Sequence, residues 1–347
     1  MAGHAGWIGR RAALAGVMAS VPLLRARAEP MTDAVLAAAN KEGAVVFHTS
    51  IEIGLCEKMI AGFNAQHPGI RVQLERTGAE RILQRVNQEY SSNIYVADVV
   101  ESSDTGMFLD WAGRGWLAAY LPDSVRAWPA EERDPEGRFA SVRASLSIIA
   151  YNTKQVKAED APKGFADLLN PKWRMRLVKA HPSYSGSIYT ATYSTAKAMG
   201  WDYMEKLAKQ RVMQVQSATE PPKKVALGER SVAVDGAEYV FLEMMDRGSP
   251  IQPVYAVEGS PIFSGQACVM ERASHPNAAR VFMTYLFSRD CQQIMSDQGS
   301  LRSFHPEVKE KPGRMPLAQV KLLRATPAEL AAGAEDTKRR YSAAFGV

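Results

Sequence analysis

Between Ala44 and Gly115 the sequence alternates between strand-like and helix-like runs, and that alternation constrains the fold more than any other feature. "AVVFHTS" reads as a strand, followed by a helix whose apolar face is Leu55, Met59, Ile60 and Phe63. After the turn His67-Pro68-Gly69 comes a second strand, "IRVQLER". An amphipathic helix from Glu80 to Glu89, a strand in "VADVVESS" and a helix over about Thr105 to Trp111 continue the series. Strands and helices in this order predict an α/β fold with a parallel sheet covered by helices on both faces. Ligands of such folds sit beyond the carboxyl ends of the strands, which makes Thr49, Ser50 and Glu52, and Ser102, Ser103 and Asp104, candidates by position.

A Pro- and charge-rich stretch, "RAWPAEERDPEGRF", separates this unit from the strand "SVRASLSIIAYNTK". The middle of the chain has its own strands, "RMRLVKA" and "VAVDGAEYV", and helices near Tyr189 to Leu207 and Val240 to Arg247. "IQPVYAVEGSPIFSGQACVM" reads as a return to the first unit, and Pro276 opens a final helix with Val281, Phe282, Tyr285 and Leu286 inward. The expected organisation is therefore a first lobe over 29–147, a second lobe over 148–254, and a return with C-terminal helices over 255–347. Two crossings between lobes form a hinge with a cleft, an arrangement suited to closing around a ligand.

Residues 1–28 read as a cleaved export signal: Arg10 and Arg11 precede the apolar run Ala12 to Leu24, and Ala26-Arg27-Ala28 is a small-x-small site. The paired arginines admit the twin-arginine route alongside ordinary secretion. Removal of the four arginines in this segment takes the basic residues from 42 to 38, against 37 acidic ones. With no run of like charge, the remaining chain offers neither a nucleic-acid groove nor a polybasic membrane patch. No stretch is long and apolar enough to span a bilayer. Cys56, Cys268 and Cys291 form no CxxC; Cys56 falls on an apolar helix face, and spacing leaves a Cys268–Cys291 bridge open. There is no GxSxG, HExxH, P-loop or GxGxxG, and the histidines are scattered, so the common enzyme classes find no support and the expectation is a non-enzyme.

The series "VVFHTS…FNAQHPGIRVQ", "ADVVESSD", "IIAYNTK", "DLLNPKWRMRLVKAHPSYSGS" and "ASHPNAARVFMTYLFSRDCQQIMSDQGS" resembles the periplasmic substrate-binding proteins of ABC importers, in the ferric-iron-binding-like branch. The match runs in order over almost the whole chain after the signal, and "DLLNPKW…PSYSGS" is its most specific piece. The resemblance implies a two-lobed type II binding-protein fold, each lobe a mainly parallel sheet flanked by helices, with the ligand in the cleft between them. It also implies a monomer in the periplasm that delivers its solute to a permease and an ATPase; a ligand-sensing receptor without transport is the alternative, and a cleft enzyme a remote one.

In that family the Ser-Gly-Ser turn lies at a helix N-terminus facing the cleft, where N–H groups and the helix dipole hold an anion. Here the donors would be Ser183, Ser185, Gly186 and Ser187, with Tyr184 beside them; a plain N-cap is the structural alternative. Iron-binding members offer a His or Glu from the first lobe and two adjacent tyrosines from the second. This chain reads "DGAEYVF" at that place, leaving Glu52, Glu238 and Tyr239 as an incomplete oxygen set for Fe3+, here a transported ligand and not a cofactor. His48, at a strand end, is read as structural. The hydroxyl-rich set instead fits a phosphonate, phosphate ester or similar small anion, with Arg81, Arg143 or Lys179 as the neutralising cation. Asp235 and the other acids would suit an amine on the same solute, so an aminophosphonate reconciles both sets.

Overall fold

The computed structural model describes residues 1–3, 31–312 and 314–347; the export-signal expectation lies almost wholly outside them. Two sheets organise the chain. The first holds β1 (Ala44–Thr49), β2 (Arg71–Arg76), β3 (Val99–Ser102) and β4 (Phe139–Leu146). The chain then crosses to β5 (Ile149–Asn152), β6 (Leu177–Ala180), β7 (Met213–Val215), β8 (Val232–Ala233) and β9 (Ile251–Val254), and returns as β10 (Ser260–Val269), joined at its edge by β11 (Leu322–Leu323). The orders are β11-β10-β3-β1-β2, with β4 on β10, and β7-β6-β8-β5-β9. The βαβ strands β1, β2 and β3 pair in parallel, as do β6, β7 and β8. The strands that carry the chain between sheets enter antiparallel: β10 on β3 and β4, and β5 on β8 and β9. Each sheet is thus mixed, with its parallel part where the sequence alternates.

Helices α1 (Asp33–Glu42), α2 (Ile53–Gln66), α3 (Ala79–Ser91) and α4 (Thr105–Gly113) belong to the first lobe; α5 (Gly186–Met199), α6 (Trp201–Ala208), α7 (Glu220–Ala226) and α8 (Glu238–Asp246) follow in the second. The return adds α9 (Pro276–Leu286), α10 (Arg289–Gly299) and the 19-residue α11 (Pro327–Phe345). Of the α2 face predicted from spacing, Leu55, Met59 and Phe63 are buried, with Cys56 among them, while Ile60 is half-buried; Phe63 meets Phe282 of α9 edge-to-face at 5.0 Å. Truncating a buried ring in such a cluster costs about 3–5 kcal/mol. All three thiols are free and buried.

In the second lobe the "NPKW" motif makes a tight turn: Asn170 accepts from Lys172 N, Pro171 fixes the backbone, and Trp173 drops into the core, 1 % exposed. Two local expectations are corrected. The strand in "VAVDGAEYV" is only Val232–Ala233, because Gly236 takes φ 144°, a region open essentially to glycine, and turns the chain into α8 at Glu238. The helix near Tyr189 to Leu207 is two helices, broken at Gly200 with φ 82°. α11 packs on α5 and α6 as well as α4, so the C-terminal segment touches both lobes.

Candidate functional site

The segments just beyond the carboxyl ends of β1, β2, β3, β6, β7 and β8 converge on one narrow cleft, open at its mouth. Ser50, Arg76 and Ser103 line it from the first lobe, and Ser185, Ser217 and Tyr239 from the second. Among the described residues its wall includes two arginines, Arg76 and Arg143, and no Asp, Glu or His. The side chains at hand are cationic and hydroxylic, which selects against a bare cation and for an oxyanion.

Arg143, 3 % exposed, is held by Glu101: Nε donates to Oε1 at 2.9 Å, and Nη2 donates to Ser50 Oγ at 3.2 Å. Glu101 also accepts from Thr49 Oγ1 at 2.6 Å and from Ser50 N at 3.1 Å. A β-bulge in β10 leaves Gly265 against this pair, where a Cβ would strike both the Glu101 carboxylate and the Arg143 guanidinium. Glu101 therefore neutralises Arg143 and fixes its direction. Arg76 is different. Its guanidinium donates only to carbonyls, Ile51 O at 3.0 Å and Ser50 O at 3.3 Å, so its charge has no carboxylate partner among the described residues.

Three helices of eight or more residues begin at the cleft: α3 at Gly78, α5 at Ser185 and α8 at Ala237. None is capped by its own N-cap side chain, which is also true of α6, α7 and α9, whereas α1, α2, α4, α10 and α11 are capped by Thr32, Glu52, Asp104, Ser288 and Thr326. One α5 N–H, that of Ser187, is taken by Ser103 Oγ at 3.1 Å; the other first-turn N–H groups and the positive ends of the three helix dipoles face one space. Tyr239, 3 % exposed, lines the same space, and its hydroxyl has no hydrogen-bond partner among the described residues. Burial pushes its phenol up to about 12, opposed by the nearby Arg143 and Arg76, so it is protonated and ready to donate.

The structure sorts the residues expected from sequence into two groups. Ser50, Ser103, Tyr184, Ser185, Ser187 and Tyr239 line the cleft, and Gly186 starts α5 beside it. Ser185 occupies the N-cap position of α5 yet makes no capping bond; it pairs instead with Ser187 Oγ at 3.1 Å. The others support from behind. Thr49 bonds Glu101, Ser102 Oγ accepts from Asp104 N, and Ser183 N donates to His181 Nδ1. Glu52 and Asp104 spend their carboxylates capping α2 and α4.

The metal set is not brought together. Glu52 caps α2, and Glu238, fully buried, is bound by Arg302 at 2.8 Å and by the Tyr255 hydroxyl at 2.7 Å. Neighbours on a helix diverge by about 100°, so Glu238 turns inward while Tyr239 faces the cleft. Among the described residues no group of three or more His, Cys, Asp or Glu side chains could hold a metal ion. Asp235 is the buried partner of Lys179 at 2.7 Å, which removes both the expected amine acceptor and one expected cation from the cleft. Burial lowers the Lys179 pKa and raises that of Asp235, each opposed by the other's charge. Arg81 reaches Gln216 at the surface, and His48 is buried against Glu75. The sequence reading missed Arg76, Ser217 and Thr219, although Arg76 ends β2 and the other two follow β7, where the strand-end rule points.

The architecture has many counterparts. Over 88 % of this chain and 99 % of the other, it superposes with a TM-score of 0.80 and 20 % identity on the periplasmic binding protein AfuA of Actinobacillus pleuropneumoniae, solved with fructose-6-phosphate bound. Iron-bound HitA of Pseudomonas aeruginosa matches with a TM-score of 0.73 and 21 % identity over 86 % of this chain and 99 % of that one. A probable ABC transporter periplasmic-binding protein of Sinorhizobium fredii is 20 % identical over 76 % of this chain and 75 % of its own length. Among the described residues no helix is long and apolar enough to cross a membrane. The model of the bacterial extracellular solute-binding protein family matches residues 96–314, more than half of the chain. The chain belongs to that family, the substrate-binding proteins of ABC transporters.

Proposed function

We propose that this protein captures a small solute bearing a phosphate, phosphonate or similar oxyanion in the periplasm and presents it, lobes closed, to an importer's permease and ATPase. The observation that carries this reading is the lining of the cleft: among the described residues, Arg76 without a carboxylate partner, three helix N-termini whose own N-cap side chains make no cap, and a Tyr239 hydroxyl without a partner, with no acid among them. Every one of these groups donates to or attracts negative charge. The likeness to a protein solved with fructose-6-phosphate supports the same chemistry. Both lobes contribute donors, so a bridging ligand favours the closed form by its differential contacts.

A thermal-shift series on the exported protein, prepared without metal, tests the reading with inorganic phosphate, fructose 6-phosphate, 2-aminoethylphosphonate, fructose and ferric citrate as separate additions. A ligand at 100 times its Kd stabilises the fold by about 2.7 kcal/mol. The expected result is a rise with at least one phosphate- or phosphonate-bearing compound and none with fructose. A rise with ferric citrate alone, with tyrosinate-to-iron colour, contradicts the reading.

The serines give a second test. Ser185→Ala with Ser187→Ala removes two hydroxyls at the anion end of the cleft that cap nothing. The expected outcome is at least tenfold weaker binding of the stabilising compound, with the unliganded Tm unchanged within about 2 °C, from about 1 kcal/mol per hydrogen bond. A fall in the unliganded Tm matching the loss of affinity makes these serines structural.

A further inference from the structure

We infer that Gly186 is the closure contact of this protein: the missing side chain is what allows the second lobe to seat on the first. The inference rests on the lobe-closure reading above and adds to it the residue that sets the closed distance. Gly186 opens α5 in the second lobe, and Ser103 and Asp104 follow β3 in the first. A Cβ at Gly186 would lie 2.7 Å from Asp104 N, 2.8 Å from Ser103 C and 2.9 Å from Asp104 Cα. All three atoms are backbone, so none can swing aside as a flexible side chain would. Next to this contact the Ser187 N–H donates to Ser103 Oγ at 3.1 Å, a buried hydrogen bond between lobes. Gly186 has no positive φ, so its conformation is one alanine or valine also adopts. The glycine is required by the approach of the other lobe and not by its own backbone.

A side chain at 186 therefore acts as a stop that separates the lobes by a fraction of an ångström to a few ångströms and leaves each lobe intact. It also breaks the Ser187 to Ser103 bond and spreads the donors that would hold an anion from both sides. Ser103→Ala removes the same hydrogen bond without adding bulk, so it weakens closure less than Gly186→Val.

The test uses a chemical bridge across the mouth of the cleft, which needs no ligand. Arg81 of α3 and Gln216 after β7 are exposed and in contact across the lobes at 3.2 Å. The double variant Arg81→Cys with Gln216→Cys is treated with a short bis-maleimide; the three native thiols are buried, and burial raises each of their pKa values, so they stay silent. The expected result is intramolecular cross-linking in this parent, faster still with fructose 6-phosphate added, at least fivefold slower when Gly186→Val is added, and intermediate with Ser103→Ala. The unliganded Tm of Gly186→Val is expected within about 2 °C of the parent. Cross-linking of the Gly186→Val protein at the parent's rate, or a parent that never cross-links, overturns the inference. So does an unliganded Tm that falls by several degrees in both Gly186→Ala and Gly186→Val, since the contact would then be a permanent part of the fold. Failure of fructose 6-phosphate to speed the parent, with the glycine effect intact, counts against the ligand assignment and leaves the closure contact standing.

Discussion

Arg76→Gln is expected to weaken binding of a phosphate ester by about 10- to 100-fold while leaving the unliganded protein folded, as isothermal titration of the wild type and the variant would show. The magnitude follows from losing charge-assisted hydrogen bonds worth roughly 1.5–3 kcal/mol. Arg76 is singled out because Glu101 already balances Arg143, whereas the Arg76 guanidinium touches only carbonyls. Arg76→Lys keeps the charge but loses the planar fork, and an intermediate loss is expected. Affinity of Arg76→Gln within twofold of wild type would move the anion away from β2 and contradict the site described here.

The largest effect on stability is expected at Arg302. Its guanidinium grips Glu238 at 2.8 and 3.1 Å, and both residues are essentially inaccessible to solvent. Arg302→Met leaves a carboxylate buried without its cation, which costs about 3–5 kcal/mol. For a chain of 347 residues, at roughly 2.1 cal/mol/K of unfolding entropy per residue, that corresponds to a fall in Tm of roughly 4–7 °C. Adding Glu238→Gln removes the orphaned charge and is expected to restore more than half of the loss. The same pair of variants separates two roles for Glu238. As a structural anion its replacement changes Tm and leaves ligand affinity within a few-fold, whereas as an iron ligand it would abolish binding with little change in Tm.

What the sequence made legible follows from which interactions are local. The βαβ series shows because helix and strand periods are written into consecutive residues, and "NPKW" shows because Pro171 of the turn and the buried Trp173 lie two positions apart. The Ser-Gly-Ser turn at the head of α5 was legible for the same reason. The cleft's electrostatics were not, because a residue's partner decides its role. Lys179 and Asp235, 56 positions apart, cancel each other in a buried pair, and Glu238 is consumed by Arg302, 64 positions away. Arg76 looked like an ordinary strand end because nothing local marks an arginine left without a carboxylate. The short β8 was overextended because "VAVDGAEYV" carries a strand's alternation, and only the φ of Gly236 ends it. Gly186 was legible as part of the Ser-Gly-Ser turn but not as a contact between lobes, since the atoms that demand a glycine there belong to the other lobe.

The most direct measurement is isothermal titration of the wild-type protein, prepared free of metal, with fructose 6-phosphate, 2-aminoethylphosphonate and inorganic phosphate, each against fructose and ferric citrate. A cleft lined by Arg76, Arg143 and three helix N-termini is expected to bind at least one of the phosphorus-bearing compounds at one site per chain, with a Kd in the micromolar range or tighter, and to give no heat with fructose. Saturable binding of ferric citrate, with none of the three phosphorus-bearing compounds bound, would contradict the account at its centre.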